Sequence, residues 1–319
     1  MRRRTLLVAG VACALPLPAA GAARYTQGLL WRVAKAGVEP SHVFGTLHAG
    51  DPRLQPLPAP VQDAFTRSRS LMLEYLADQY GRERFLEAAL YLDGRTLAQD
   101  IGGEHFERAV EAMQPIGLPR EFVGKLKPWG VLLNLRISRQ PAGAVPPEAQ
   151  LFALARERRL PVSQIENVEE QVFTFDEMSL ASQVALLRHY LEHRDELDRL
   201  AERTLRAYLA RDLQGLWDAQ QDYARRHPEI ARHHAELMKR VVLDRSVVMA
   251  FRMQRELRRG RAFVAVGALH LYGERGVLAL LGRFELLTHA ELQSLAGWRE
   301  ATLRNHAGHA VGRVEPVLA

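Results

Sequence analysis

The sequence predicts an α/β fold: a mixed central β-sheet flanked by helices, with a largely helical middle section and two candidate pseudo-symmetric halves. Three observations carry this. Short runs rich in β-branched and aromatic residues, each of strand length, lie near both ends of the chain. Between them, apolar residues recur every three to four positions, the period of an amphipathic helix. Two of the strand-like runs also share an ending, since VFGTLHAGD and AVGALHLYGE each place Gly-x-x-His directly after the run.

The first element is not part of the fold. MRRRTLLVAGVACALPLPAAGAA has an arginine cluster, an apolar run from Thr5 to about Leu17 and a small-residue exit, the three parts of a secretory signal. A spanning helix needs about 20 apolar residues, and this run is shorter and broken by Pro16 and Pro18. Residues 1–23 are expected to be removed, leaving a mature chain that starts near Arg24 or Tyr25 and works in the periplasm or outside the cell. The Arg2-Arg3-Arg4 run also fits a twin-arginine signal, and Cys13 a lipid anchor, although Gly10 stands where such anchors carry an aliphatic residue.

From Leu29, LLWRVAKAGVEPSHVFGTLHAGD reads as two strands around a Gly37–Pro40 turn. A proline-rich bend, Pro52–Pro60, precedes a helix marked by Val61, Ala64 and Phe65, and SLMLEYL then forms another strand, giving the order β-β-α-β. Between Tyr80 and about Ala142 several short helices are expected, broken at Gly102-Gly103 and at Gly117-Leu118-Pro119. PPEAQLFALARERRLPVSQIENVEEQ reads as a helix, a turn at Leu160-Pro161 and a strand from Val162 to Ile165. The tract from Ser179 to Gly260, almost free of glycine, predicts two or three amphipathic helices. A strand over Phe263–Val266, a glycine-containing turn and a helix from about Gly273 close a single domain spanning residues 24–298, and the tail 299–319 has no clear period.

Composition excludes several classes. The chain has one cysteine, Cys13, inside the signal, so the mature protein has no disulfide, thiolate metal site or cysteine nucleophile. The formal charge of +6 falls to +3 without Arg2, Arg3 and Arg4, and the other arginines alternate with glutamates in strings such as RERFLEA and RDELDRLAER. Those strings read as solvated helix faces, so nucleic acid is not an implied partner. No later apolar run is long enough to span a membrane, and the pattern does not speak to oligomeric state.

The chemistry is expected at the repeated motif. A histidine three residues after a glycine, at the C-terminal end of a strand, sits where open α/β sheets place ligands. Read alone, each Gly-x-x-His is a turn with an ordinary histidine; two copies in matching contexts, Gly45–His48 and Gly267–His270, point to a shared site. Glu74 lies in the apolar run SLMLEYL, where a carboxylate needs a metal, a partner such as Arg245, or a strand-end position. His189 and His193 have i, i+4 spacing, yet Tyr-Leu-Glu between them misplaces the glutamate of a His-Glu-x-x-His signature. With no third ligand at a recognisable distance, that pair is read as structural, and His233-His234, His306 and His309 as exposed.

The strings LLWRV, FGTLHAGDPRLQPLPAPVQDAF, LMLEYL, KPWGVLL, IENVEEQ and FVAVGALHLYGERGVLALL, in this order and spacing, resemble the successive signature blocks of the TraB/GumN family. The animal Tiki proteases are related to that family, and the resemblance runs from about Leu29 to Leu287. It implies a mixed α/β fold and a metal-dependent peptidase using manganese or cobalt, with zinc as another divalent ion the ligands suit. It places the family's histidines on His48 and His270, its strand glutamate on Glu74 and its helix arginine on Arg245.

Two imidazoles and one carboxylate form a ligand set for a divalent ion. Glu74 is alternatively the general base, and Arg245 a donor to a substrate carboxylate or oxyanion. Glu166, Glu169, Glu170 and Gln171 match the glutamate-glutamine block, a pattern that a loop-to-helix cap also explains, and Glu274 is read as structural at a helix start. The chain departs from the family at Leu76, where aspartate is usual, at Ser246 in place of asparagine, and at Tyr272 in place of proline.

The functional expectation is an exported metal-dependent hydrolase acting on a peptide or small-molecule substrate. Two alternatives stand beside it: a non-catalytic binding protein that sequesters its ligand in the same cleft, and a metal-free esterase-like hydrolase.

Overall fold

The computed structural model describes residues 25–76, 78–137, 143–282 and 313–316. The signal segment, and most of the tail with His306 and His309, lie outside the described residues.

The expected α/β architecture is present. The strands are β1 (Leu30–Lys35), β2 (Val38–Thr46), β3 (Ser70–Leu73), β4 (Val162–Gln164), β5 (Ala262–Gly267) and β6 (Arg313–Pro316). They form one mixed six-stranded sheet in the order β4-β3-β5-β2-β1-β6. The inner pairs β4/β3, β3/β5 and β5/β2 are parallel, while β1 runs antiparallel to both β2 and β6.

Every residue of β3 and β5 is buried. Parallel strands covered on both faces read as continuous apolar runs, which is why AFVAVG and SLML lack polar alternation. Phe263 of β5 meets Phe65 edge to face at 5.4 Å, fastening the sheet to α1 (Ala59–Thr66) below it. Such a pair adds about 0.5–1.5 kcal/mol beyond its buried area.

The N-terminal hairpin differs from expectation in one detail. Its turn is Ala36-Gly37, with Gly37 at φ +76°, and Pro40 lies inside β2. The β1/β2 register slips by one residue between Val33↔Ser41 and Lys35↔Val38, so Pro40 falls where the ladder is interrupted and its missing N–H is tolerated.

The middle section is helical as expected: α2 (Gln79–Ala88), α3 (Leu97–Ile101), α4 (Gly103–Met113), α5 (Arg120–Lys125) and α6 (Pro128–Ile137). Gly102 (φ +80°) separates α3 from α4, and Gly117 (φ +72°) follows the turn after α4. These helices bury their own apolar cluster around the fully enclosed Trp129, apart from the larger cluster that covers the sheet. The KPWGVLL block therefore serves packing, with Trp129 Nε1 donating to Asp176 at 2.9 Å. Next come α7 (Pro147–Glu157), whose chain returns through Leu160-Pro161 into β4, and α8 (Val168–Asp176).

The tract 179–260 contains more helices than the two or three expected: α9 (Leu180–Glu192), α10 (Arg194–Leu209), α11 (Leu213–Arg226), α12 (Ala231–Met238) and α13 (Arg245–Arg259). The chain turns there without glycine. His193 breaks α9 from α10, Arg211 adopts φ +58° ahead of the Asp212 cap, and His227-Pro228 ends α11. A π-helical turn, Lys239–Asp244, joins α12 to α13.

The last helix, α14 (Val277–Leu281), begins after Gly276, so exposed Glu274 precedes it rather than opening it. Residues 313–316, which show no sequence period, supply the edge strand β6. Among the described residues no helix is long and apolar enough to cross a membrane.

Candidate functional site

The two Gly-x-x-His strands are sheet neighbours. β2 and β5 run parallel with Gly45 opposite Val266 and Thr46 opposite Gly267, so both motifs emerge at one edge. β3 and β4 run the same way on the other side of β5. The residues just past the ends of these four strands are His48, His270, Glu74 and Glu166, and the structure gathers all four. This is the carboxyl-end crevice where open α/β sheets bind ligands.

Glycine is needed at both turns for room. A Cβ on Gly45 would lie 2.7 Å from Leu271 Cδ1 and 3.1 Å from Ala268 Cα, where the loop after β5 crosses. A Cβ on Gly267 would lie 3.0 Å from His48 Nε2 and 3.3 Å from His270 Cδ2.

Glu74 is the centre of the cluster. Its Oε1 accepts from Arg245 Nη2, and its Oε2 accepts the Gly267 N–H at 3.1 Å. His48 Nε2 is 3.3 Å from that same Oε2 and His270 Nε2 is 3.8 Å from it. Arg245 is buried, and it is the partner that a carboxylate in an apolar run requires.

Arg245 also donates through Nε and Nη2 to Glu166, and through Nη1 to the Val241 carbonyl at 3.1 Å. Its fork is thus engaged inside the protein, which favours positioning Glu74 over contacting a substrate. The π turn just before it presents the Val241 and Val242 carbonyls to side chains, and such wide turns recur at functional sites.

Each histidine is held at its far nitrogen. His48 Nδ1 donates to Glu148 Oε1 at 2.6 Å, and Thr46 Oγ1 donates to the same oxygen. His270 Nδ1–H is shared between Ser246 Oγ at 2.9 Å and the Val242 carbonyl at 3.2 Å, while Ser246 donates to Val242 at 2.7 Å. Both rings therefore direct Nε2 toward Glu74, as in carboxylate–histidine–metal arrangements. Ser246 does the work of a hydrogen-bonding residue beside Arg245 although it is not the family's asparagine.

The charges alternate through the chain of contacts Glu148, His48, Glu74, Arg245 and Glu166. Burial alone would lower the His48 pKa, but the Glu148 and Glu74 carboxylates outweigh it and push it up to about 10. Burial would raise Glu74, yet Arg245, then His48 and His270, hold it well below the usual carboxylate range. Burial pulls His270 down to about 4, so its ring is neutral. Glu148 is opposed by burial but lowered by His48 and Thr46, whereas Glu166, with Arg245 as its one cation, is pushed up by burial.

The residues of the glutamate-glutamine block separate by role. Glu166 joins the site, and Gln171 Nε2 donates to it at 2.7 Å. Glu170 forms a capping box with Asn167 and pairs with Arg252, while Glu169 pairs with exposed Arg84. Leu76, at the departure from the usual aspartate, uses its backbone N–H on Gln164 at 3.2 Å. Tyr272 lies against Trp217, ring centroids 6.1 Å apart. Glu148 was not foreseen as a site residue. Its one sequence signal is an acidic side chain in the first turn of a proline-started helix, which reads as a helix-dipole contact.

The donor chemistry suits a divalent ion: the Nε2 atoms of two oriented imidazoles face one ionised carboxylate oxygen. One group of three donors among the described residues has its ligand atoms all within 4.8 Å of one another, and it is a different group, His189, His193 and His227. The expectation that His189 and His193 lack a third partner is corrected, since His227 arrives from α11. His234, expected to be exposed, is buried.

Neither a comparison with curated proteins nor one with solved structures gave a match. Residues 29–283 match the sequence profile of the TraB/PrgY/gumN family, nearly the span over which the signature blocks were read. Order of blocks, sheet position of both histidine motifs and profile agree, and the chain belongs to the TraB/PrgY/gumN family.

Proposed function

We propose that this protein is an exported, metal-dependent hydrolase acting on peptide bonds, with His48, His270 and Glu74 as the ligands of a divalent ion, manganese, cobalt or zinc. The observation that carries the reading is the pair of oriented imidazoles: Glu148 fixes one ring and Ser246 with Val242 fixes the other, and both Nε2 atoms face Glu74.

A bound divalent ion supplies Lewis acidity toward a scissile carbonyl and lowers the pKa of water. The protein's own residues do the rest. Arg245 keeps Glu74 ionised, and a carboxylate held so far below its usual pKa is a ligand rather than a general base. His48, whose side chain is 46% exposed, is the member of the cluster that reaches solvent and substrate. To act as a ligand His48 gives up its Nε2 proton, while its neighbour Glu148 keeps the Nδ1–H in place and so fixes the ring.

The test uses purified mature protein with manganese or cobalt added and a mixture of unstructured peptides as substrate. Turnover that a chelator removes, that metal restores, and that His48→Ala and His270→Ala abolish supports the reading. Saturable peptide binding without turnover would favour the sequestering protein, and chelator-resistant turnover the metal-free hydrolase. Amino-terminal sequencing of the exported chain tests removal of residues 1–23.

A further inference from the structure

Two helix ends meet outside this site. α9 finishes with His189 in its last turn and His193 as the residue after it, and α11 finishes with His227 as the residue after it. The His189 and His193 rings stack at 4.2 Å, and His227 lies 4.6 Å from the first and 5.1 Å from the second, centroid to centroid. His189 and His227 are buried, and one nitrogen from each of the three rings lies within 4.8 Å of the others.

Their hydrogen bonds fix which nitrogens face one another. His193 Nδ1 donates to the His189 carbonyl at 2.9 Å, which leaves Nε2 as its lone pair. His227 Nε2 donates to Glu196 at 3.0 Å, and His189 Nε2 meets the Tyr223 hydroxyl at 2.9 Å, which leaves Nδ1 on both. A carbonyl, a carboxylate and a phenol behind three imidazoles are the outer partners that orient histidines on a metal.

A carboxylate closes the group. Glu229 Oε1 stands 3.2 Å from His189 Nδ1 and 3.4 Å from His227 Nδ1. In a tetrahedral site with bonds of about 2.0–2.1 Å, neighbouring donor atoms are about 3.3 Å apart. Glu229 is exposed enough, at 55%, to swing onto an ion. The carbonyl ends of two long helices, the negative poles of their dipoles, converge on the same place.

We propose that His189, His193 and His227, with Glu229 as the fourth donor, form a zinc site that clamps the α9–α10 junction to the end of α11. Three imidazoles and one carboxylate are borderline-soft donors suited to tetrahedral zinc, and a four-protein-ligand set is the closed kind that contributes stability rather than catalysis. The site shares no residue with the His48 cluster and does not depend on the proposed hydrolase activity.

The experiment uses the full mature chain carrying His48→Ala and His270→Ala, stripped by chelator, so that the other candidate ligands are removed. Zinc alone is titrated, with cobalt in parallel for its tetrahedral visible absorption. The expected result is one zinc ion per chain, a raised thermal midpoint and a tetrahedral cobalt spectrum. Adding His193→Ala, at a part-exposed position, should weaken zinc by about 100-fold or more and abolish the spectrum. Glu229→Gln should weaken zinc with the apo fold intact by circular dichroism. Zinc affinity unchanged in both added variants, or no zinc bound by the folded parent, overturns the proposal. Peptide cleavage retained by this His48→Ala, His270→Ala parent would count against the hydrolase reading alone.

Discussion

Gly267 stands so close to His48 that a methyl group on it would lie 3.0 Å from the histidine Nε2. The backbone of Gly267 is at φ −54°, which alanine adopts without strain, so Gly267→Ala tests space alone. The expected outcome is a folded protein, by circular dichroism and thermal midpoint, whose His48 ring is displaced. Metal-stimulated peptide cleavage should fall by roughly 100-fold, the scale for moving a reacting group by about 1 Å. Undiminished cleavage would show that His48 is not confined as described.

Arg245 is the one cation between Glu74 and Glu166, and all three are buried. Removing one member of a buried ionic group leaves the others uncompensated, so Arg245→Met should destabilise the fold by about 3–5 kcal/mol in urea titration. Combining it with Glu166→Gln should recover part of the loss, because one of the stranded carboxylates is gone. Equal stability of Arg245→Met and wild type would refute the burial of charge at this position.

Glu148 touches His48 at its far nitrogen, 102 positions along the chain from Thr46, which shares the same oxygen. Glu148→Gln keeps the shape and removes the charge. We expect a 10–100-fold loss in activity or metal affinity, the usual effect of altering a residue that orients a ligand. Glu148→Asp should lose contact with the ring and resemble glutamine; a wild-type kcat/KM in both would exclude Glu148 from the site.

Stability should depend on pH with a defined sign. His42 is pulled down to about 4 by burial, then by Arg67 and Arg32, and His189 and His270 fall to about 4 chiefly by burial. An unfolded histidine takes a proton near pH 6.5, which these folded rings refuse, so their stability is complete above 6.5 and lost as pH falls toward 4. His48 acts oppositely in metal-free protein: its contribution is present below 6.5 and lost as pH rises toward 10. Urea midpoints from pH 4 to 10 should trace a dome. His42→Gln should shallow the acid limb by up to about 1.4 kcal/mol per pH unit, and an unaltered limb would remove His42 from the account.

What the sequence made legible was local. The runs FVAVG and SLML announce buried strands because parallel strands covered on both faces need no polar alternation, and Gly-x-x-His marks a strand end within four residues. The joining of His48 to Glu148, and of His227 to His189, depends on how α7 meets β2 and how α11 meets α9, which no local pattern encodes. Breaks made by His193 and Arg211 escaped notice because they use neither glycine nor proline. Residues 313–316 escaped for another reason: an edge strand is fixed by backbone bonds to β1, which leave little trace in side-chain pattern.

The place of β5 between β3 and β2 also fixes when the site can exist. Until residues 262–270 have been synthesised, β3 and β2 have no common neighbour, and nothing holds Glu74 and His48 at 3.3 Å. Pairings of such long sequence separation form late, since loop-closure entropy must be overcome first. A nascent or truncated chain therefore carries the glutamate and the first histidine apart, and the cluster comes together only when the central strand is inserted.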